Sequence, residues 1–170
     1  MWLGVVEASG RVSATDGELF AGLYPSLLRF AAAVRPVGID PEDLVQEAVA
    51  RTLSVRSLAE LEEPSTYLRT AMIRIASNLQ RGRRRANARL ARLDPAGDTV
   101  DRYPSDLADL LRLAPRARAI LFLTVIEGQP YHAAARIVGC TEPAARAIAS
   151  RALRELHRQL AAELDSKELT

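Results

Sequence analysis

Arginine is the residue type in this chain whose number and spacing indicate a chemical role. All but one of the 23 basic residues among the 170 are arginines, the exception being Lys167. A guanidinium group donates two parallel hydrogen bonds to a phosphate or to the edge of a guanine, so it suits nucleic-acid binding. The clusters of arginine therefore indicate where an anionic partner would bind.

The longest basic segment lies between Pro64 and Leu93 and contains no acidic residue. An exposed helix normally carries both signs of charge, whereas a run of one sign attracts phosphates and releases their counterions. Tyr67, near its start, could stack on an unpaired base or lie in the core. The segment predicts a nucleic-acid contact, with a solvated helix end as the alternative. Its arginines are Arg69, Arg74, Arg81, Arg83, Arg84, Arg85, Arg89 and Arg92.

The segment from Tyr131 to Leu160 has the spacing of a helix-turn-helix. Ala135 and Gly139 provide small residues where two helices would cross, and Thr141 can cap the second helix. The basic face of that helix could enter a major groove, where arginine reads guanine and neutralises phosphate. An ordinary helical hairpin with a solvated face fits the same spacing. The outward residues are Arg146, Ser150, Arg151, Arg154 and Arg158.

A short acidic face follows the helix start at Asp40 and Pro41. Asp43, Gln46 and Glu47 recur at spacings of three and four, which places them on one side of a helix. This face could be ordinary solvated surface, or it could dock on a basic partner.

The chain lacks the residues that several kinds of catalytic and metal-binding site require. Cys140 is the only cysteine, and His132 and His157 stand 25 residues apart with no acidic residues at metal-ligand spacing. There is no glycine-rich phosphate loop, no catalytic pair of carboxylates, and no apolar run of 18 residues. We therefore expect a cytoplasmic protein that is not an enzyme, with no cofactor, metal, small-molecule substrate or membrane association.

The elements that must position these clusters are all helical. Apolar residues recur at helical spacing from Asp16 onward, and no segment alternates as a strand does. A stretch rich in proline and glycine, residues 94–105, separates two helical modules and predicts a flexible linker. The expected architecture is all-α, with one small domain over residues 15–93 and another over 106–164.

The order of these segments resembles the extracytoplasmic-function (ECF) group of RNA polymerase sigma factors, within the sigma-70 family. The resemblance covers about residues 19–160. It implies a region 2-like bundle of three to four helices and a region 4-like helix-turn-helix, which together would direct core RNA polymerase to promoters. It also implies an anti-sigma factor as a partner. The matching stretches are "DPEDLVQEAVART", "YLRTAMIRIASNLQRGRRR" and "LAPRARAILFLTVIEGQPYHAAARIVGCTEPAARAIASRALREL".

The resemblance also implies roles for individual residues. Region 2 binds the clamp helices of the polymerase β′ subunit, and it holds and melts the promoter −10 element; the loop from Val55 to Glu63 matches the family's base-capturing loop. Region 4 binds the −35 element, with Arg146 and Ala147 facing bases. The implied polymerase-binding residues are Asp43, Leu44, Gln46 and Glu47. The implied −10 contacts are Tyr67, Arg69, Arg74, Asn78, Arg81, Arg83, Arg84 and Arg85. The implied −35 contacts are Thr141, Arg146, Ala147, Ser150, Arg151 and Arg154.

Some positions depart from the family pattern and keep two alternatives open. Alanine replaces polar or larger residues at 133, 134, 144 and 145, and Ile148 stands where arginine is usual. In the first domain, Tyr67, Arg74 and Asn78 stand where Trp, Asn and Asp are frequent. One alternative is a polymerase-binding regulator with a degenerate region 4. The other is a stand-alone helix-turn-helix repressor, which would be a dimer on palindromic sites.

Overall fold

The computed structural model describes residues 14–93 and 110–168, and these residues form helices with no strand among them. The predicted all-α fold is confirmed. The predicted linker, residues 94–105, lies outside the described residues. The α-helices are α1 (Ala14–Val34), α2 (Pro41–Leu53), α3 (Pro64–Leu93), α4 (Pro115–Leu121), α5 (Tyr131–Val138) and α6 (Glu142–Glu168), with a 3-10 turn at Leu58–Glu60 and a π-helical turn at Phe122–Ile126.

The N-terminal helices α1 to α3 pack around large apolar side chains. Phe30 of α1, Leu44 of α2 and Met72 of α3 are each at most 1% exposed. The start of α2 is set as the sequence predicts, because the Asp40 side chain accepts a hydrogen bond from the backbone N–H of Glu42 at 2.8 Å. The cap and the buried face together fix the rotation of α2, and hence which of its residues reach solvent.

The loop between α2 and α3 is anchored to the beginning of α1. Asp16 is 2% exposed and accepts hydrogen bonds from the Ser57 hydroxyl at 2.6 Å and the Ala59 N–H at 3.1 Å. Leu58 is fully buried between these contacts, and Glu60 completes a capping box with Ser57. This segment is therefore held in one conformation by contacts that lie more than 40 residues apart along the chain.

The C-terminal helices α4 to α6 form the predicted helix-turn-helix corner. Gly139 ends α5 with φ +72°, the left-handed conformation that favours glycine. The Thr141 hydroxyl accepts a hydrogen bond from the N–H of Ala144 at 3.4 Å at the start of α6. Small buried residues, Ala135 on α5 and Ala145 on α6, lie in the same core. The corner brings α5 and α6 together through alanine contacts.

The two sets of helices share one hydrophobic core. The rings of Phe30 and Phe122 meet edge to face with centroids 5.7 Å apart, and α1 and α3 both contact α4. Arg118 of α4 is 3% exposed and donates a hydrogen bond to the Val34 carbonyl at 2.9 Å. Burial lowers the pKa of Arg118 to about 10, and the nearby charge of Arg35 adds to the lowering. The contact between the halves therefore includes a charged group that is costly to bury.

An apolar side chain on α3 is not buried by its type alone. Leu79 is 40% exposed, whereas Ile73 and Ala76 are buried. Helix α2 ends at Leu53. No helix within residues 14–93 and 110–168 has the length and apolar character of a membrane span.

A glycine substitution at the corner, compared with one inside α1, tests the turn. Replacing Gly139 with alanine should lower the free energy of unfolding by about 1 kcal/mol, because its positive φ disfavours a Cβ. Replacing Gly22 with alanine should raise it by about 0.5–1 kcal/mol, because Gly22 is exposed within α1 and an added Cβ would meet no other atom within 4 Å. Urea unfolding followed by circular dichroism measures both. Equal midpoints for the two variants would contradict the assignment of the turn.

Candidate nucleic-acid interface

One side of α3 carries a row of polar side chains, interrupted by the half-buried Ala71. At about 100° per residue, the side chains of this row all point within about 40° of the direction of Tyr67. All are exposed, and the side chains of Arg74, Arg85 and Arg89 have no acidic partner among the described residues. We call this surface the α3 stripe. It consists of Tyr67, Arg74, Asn78, Arg81, Arg85 and Arg89.

The stripe is ordered by contacts with neighbouring side chains. The Arg56 guanidinium lies over the Tyr67 ring, 5.8 Å from its centroid. Arg81 donates a hydrogen bond to the side-chain oxygen of Asn78. Arg89 belongs to the basic segment but is not among the predicted −10 contacts. Its helical angle relative to Tyr67 places it on the stripe.

Two predicted −10 contacts lie on the other side of α3. Arg69, about 200° from Tyr67, is 6% exposed and points into the contact with the C-terminal helices, which corrects its prediction as a nucleic-acid contact. Arg83 is exposed but is also turned away from the stripe, where it donates to the Val37 carbonyl. Arg84 is exposed and lies beside the stripe, about 100° from Tyr67.

An open groove of about 540 Å³ lies beside the stripe. Tyr67 and Arg74 of α3 form one wall, and Leu61 and Glu63 of the preceding loop form another. Arg136 of α5 closes its edge through an ion pair with Glu63 at 3.0 Å. The groove therefore combines an aromatic face, apolar surface and guanidinium groups, a set that suits a flat anionic or aromatic group such as a nucleotide.

The exposed side of α2 is acidic, as the sequence predicts. Asp43, Gln46 and Glu47 are all exposed, and Glu47 accepts a hydrogen bond from Arg51 at 2.6 Å. Leu44, predicted to contact the polymerase, is 1% exposed within the core. The prediction for Leu44 is corrected, because its position about 100° from Asp43 turns it inward.

The outward face of α6 carries the predicted groove-reading residues. Ala145, Ala149 and Ala152 are buried, which turns the opposite side of the helix to solvent. The predicted residues of this second half are all exposed. They are Thr141, Arg146, Ala147, Ser150, Arg151 and Arg154.

Arg146 is held by two neighbours rather than free in solvent. Its guanidinium pairs with the Glu142 carboxylate at 2.6 Å and lies 4.6 Å from the centroid of the Tyr131 ring. A cation over an aromatic face and a carboxylate one turn away leave this side chain fewer rotamers than an unpaired arginine has. The sequence analysis missed Tyr131, because the contact joins two helices across the corner.

Two of the four unusual alanines of the second half are packing residues. Ala134 and Ala145 are fully buried, so a polar side chain at these positions would enter the core, whereas Ala133 and Ala144 are half-buried. Ile148 is half-buried and lines a shallow groove beside α6. The departures at Ala134 and Ala145 therefore remove nothing that could reach DNA.

The fold is a helical protein with one basic helix and one helix-turn-helix, an arrangement typical of a transcription initiation factor. Two family models match the chain: sigma-70 region 2 over residues 19–86 and sigma-70 region 4 over residues 110–156. The chain belongs to the sigma-70 family of RNA polymerase sigma factors, in its ECF group. Sigma factors of this family bind core RNA polymerase and promoter DNA and direct promoter-specific initiation.

The chain is also similar to individual proteins. The chain is 28% identical over 151 residues to the RNA polymerase sigma-E factor of Streptomyces coelicolor, and the match covers 85% of each chain. A solved structure with a similar fold is the sigma factor RpoE of Bartonella quintana, in complex with the anti-sigma factor NepR. It aligns with a TM-score of 0.57 at 21% identity, over 88% of this chain and 98% of that one.

Proposed function

We propose that the three exposed surfaces divide the work of initiation. The acidic side of α2 docks on the polymerase core, the α3 stripe holds the −10 element, and the outward face of α6 reads the −35 element. The observation that carries the proposal is the stripe itself, where six aligned polar side chains face solvent over about six helical turns. Domains over residues 15–93 and 106–164 would carry these roles.

Docking through α2 is supported by its charge and exposure. The clamp helices of the β′ subunit are the partner that the family resemblance implies, and Asp43 offers them a carboxylate with no cationic partner among the described residues. Glu47 already pairs with Arg51, so docking would exchange one exposed ion pair for another. We assign the contact to Asp43, Gln46 and Glu47 and leave out the buried Leu44.

Charge reversal tests this docking surface. The double variant Asp43→Lys/Glu47→Lys should bind core RNA polymerase at least about tenfold more weakly, because both new lysines repel a basic partner. The matched control Glu18→Lys/Glu62→Lys makes the same change of charge at two exposed acids elsewhere. Affinity is measured by fluorescence anisotropy. Equal weakening by both variants would assign the effect to net charge instead of to α2.

The α3 stripe suits a melted strand, since phosphates need cations and unpaired bases need a flat partner. Arg74, Arg81 and Arg85 supply the charge at intervals of one or two turns, and Tyr67 supplies an aromatic face that is 40% exposed. The groove between α3 and the loop opens beside Tyr67, where a base taken out of the stack could enter. Strand capture would therefore combine counterion release with one stacked base.

The salt dependence of promoter binding tests the stripe. Removing Arg74, Arg81 and Arg85 together should reduce the slope of log K against log salt by about 0.7 for each lost phosphate contact on a single strand. The matched control is Arg83→Ala on the same helix, which faces the Val37 carbonyl and should leave the slope unchanged. A triple variant with the wild-type slope would remove the stripe from the nucleic-acid interface.

Recognition of the −35 element depends on a positioned Arg146. Its contacts with Glu142 and Tyr131 hold the guanidinium at the edge of the outward face, next to Ala147. Arg151 and Arg154, one and two turns further along, are placed for the backbone phosphates. A side chain that is already ordered loses less entropy when it pairs with a base.

Tyr131 variants test this positioning. Tyr131→Leu should reduce discrimination between the natural −35 element and a point-substituted one by about threefold to tenfold, because Arg146 loses its aromatic contact of about 0.5–1 kcal/mol and its fixed orientation. Tyr131→Phe keeps the ring face and should retain discrimination. Binding to the two duplexes is measured at one salt concentration. If Tyr131→Leu discriminates between the two duplexes as well as the wild type does, the contact between Tyr131 and Arg146 plays no part in −35 recognition.

The buried positions of Ala134 and Ala145, two of the four alanine departures from the family pattern, favour a working region 4 over a degenerate one. The stand-alone repressor leaves the match to region 2 without a role.

We assign no bond-making step to the chain: initiation chemistry belongs to the polymerase, and the chain acts beside it in the cytoplasm. Run-off transcription with core enzyme on genomic fragments tests the whole proposal, and an absence of specific starts would overturn it.

A further inference from the structure

The loop between α2 and α3 is held at its centre by a buried acid of α1. Asp16 lies in the first turn of α1, where the helix dipole favours a carboxylate, and is 2% exposed. Its Oδ1 accepts hydrogen bonds from the Ser57 hydroxyl at 2.6 Å and from the Ala59 N–H at 3.1 Å. Between these two donors, Leu58 is fully buried in the hydrophobic core. The acid and the buried leucine together fix the middle of the loop to the N-terminal helices.

Both ends of this loop reach the proposed −10 surface. Before the fixed centre, Arg56 places its guanidinium over the Tyr67 ring, 5.8 Å from the centroid. After it, Leu61 and Glu63 line the groove of about 540 Å³ that opens beside Tyr67. The Leu61 N–H bonds to the Leu58 carbonyl at 3.1 Å, which joins this wall of the groove to the fixed centre. A shift of the centre would therefore move both the cation above the ring and the wall of the groove.

Contacts within the loop set its shape but not its location. The capping box joins Ser57 with Glu60, only three residues apart, and closes the 3-10 turn on itself. The bonds from the turn to Asp16 instead join residues 41 and 43 positions apart. These long-range bonds, with the burial of Leu58, determine where the turn lies relative to α3.

The location of the loop matters for binding because a loop that is ordered in advance loses less conformational entropy when a ligand enters. A base that enters the groove beside Tyr67 would meet a wall that is already in place. If the loop were mobile, part of the favourable stacking energy would be spent on ordering it. An acid that fixes the loop can therefore strengthen base capture without touching the base.

We propose that Asp16 is a positioning residue for strand capture, which holds the loop between α2 and α3 in the conformation that receives an unpaired base. The inference rests on the proposed capture of a melted strand by the α3 stripe and the groove beside it. Asp16 acts through Ser57 and Ala59, because a side chain that is 2% exposed cannot contact the strand itself.

Hydrogen exchange of the full chain tests whether Asp16 holds the loop. Asp16→Ala should speed exchange in the peptide over residues 55–63 at least about threefold, because the turn loses its bonds to α1. The Ala59 N–H keeps the Ser57 hydroxyl as a partner at 3.1 Å, so this backbone donor stays paired in the variant. Glu18→Ala removes an exposed carboxylate from the same helix and is the control. Unchanged exchange in the loop, or an equal rise throughout α3, would contradict the assignment.

Strands that lack one base test whether the held loop serves base capture. The full chain, bound to core polymerase, is titrated with single-stranded −10 oligonucleotides that are intact or abasic at one position in turn. In the wild type, loss of the captured base should weaken binding about tenfold. In Asp16→Ala this penalty should shrink to about threefold or less, with unchanged affinity for the abasic strand. Asp16→Asn keeps an oxygen that can accept both hydrogen bonds and should retain the wild-type penalty.

The possible failures are distinguishable in this cycle. A variant that is only less stable would bind the intact and the abasic strands more weakly by the same factor, and that result would overturn the positioning role. The same abasic penalty in the wild type and in Asp16→Ala would also overturn it, while leaving strand capture in place. A wild type that binds every abasic strand as tightly as the intact one would overturn strand capture, and the positioning role with it.

Discussion

The two-sidedness of α3 is the constraint on which the rest of the structure depends. This helix contributes Leu68, Met72 and Ala76 to the core, and that burial fixes its rotation. Once the rotation is fixed, Tyr67, Arg74 and the residues in line with them must face solvent, and Arg69 must face the C-terminal helices. A single helix thereby separates nucleic-acid contacts from contacts within the protein, although both use arginine.

The same residue type has three different roles because its surroundings differ. An arginine on the stripe keeps its water and offers its charge to phosphates. Arg69 gives up water for two hydrogen bonds with Glu127, although its buried Nε has no hydrogen-bond partner among the described residues. Arg118 is buried against the Val34 carbonyl, and its lowered pKa records the cost. The pairing of Arg69 and the costly burial of Arg118 together determine how strongly the N-terminal and C-terminal helices are held together.

Local signals in the sequence predicted much of this arrangement. Asp40 and Pro41 mark the start of α2, Gly139 marks the corner, and the alanine spacing of α6 predicts which of its residues face outward. These features depend on neighbours within one helical turn, so they can be predicted from the sequence without knowledge of the fold. The helical angle from Tyr67 would also have moved Arg69 and Arg83 off the nucleic-acid face, a test that family spacing alone does not apply.

Contacts between distant segments could not be predicted in the same way. Nothing near Arg69 in the sequence indicates Glu127, and nothing near Arg146 indicates that the Tyr131 ring will lie beneath it. Leu44 was misplaced because an apolar residue between polar ones fits either a docking surface or a core, and only the packing of α1 on α2 decides between them. Such pairings depend on tertiary geometry, where local periodicity carries no information.

The central claim is that α3 presents one side to DNA and the other to the protein, and site-specific photo-crosslinking tests it most directly. A photoreactive phenylalanine analogue would replace Asn78 on the stripe or Arg83 on the opposite side, in a promoter complex with core polymerase. The account predicts cross-links to the −10 strand from position 78 and none from position 83. Equal cross-linking from both positions, or from position 83 alone, would contradict it.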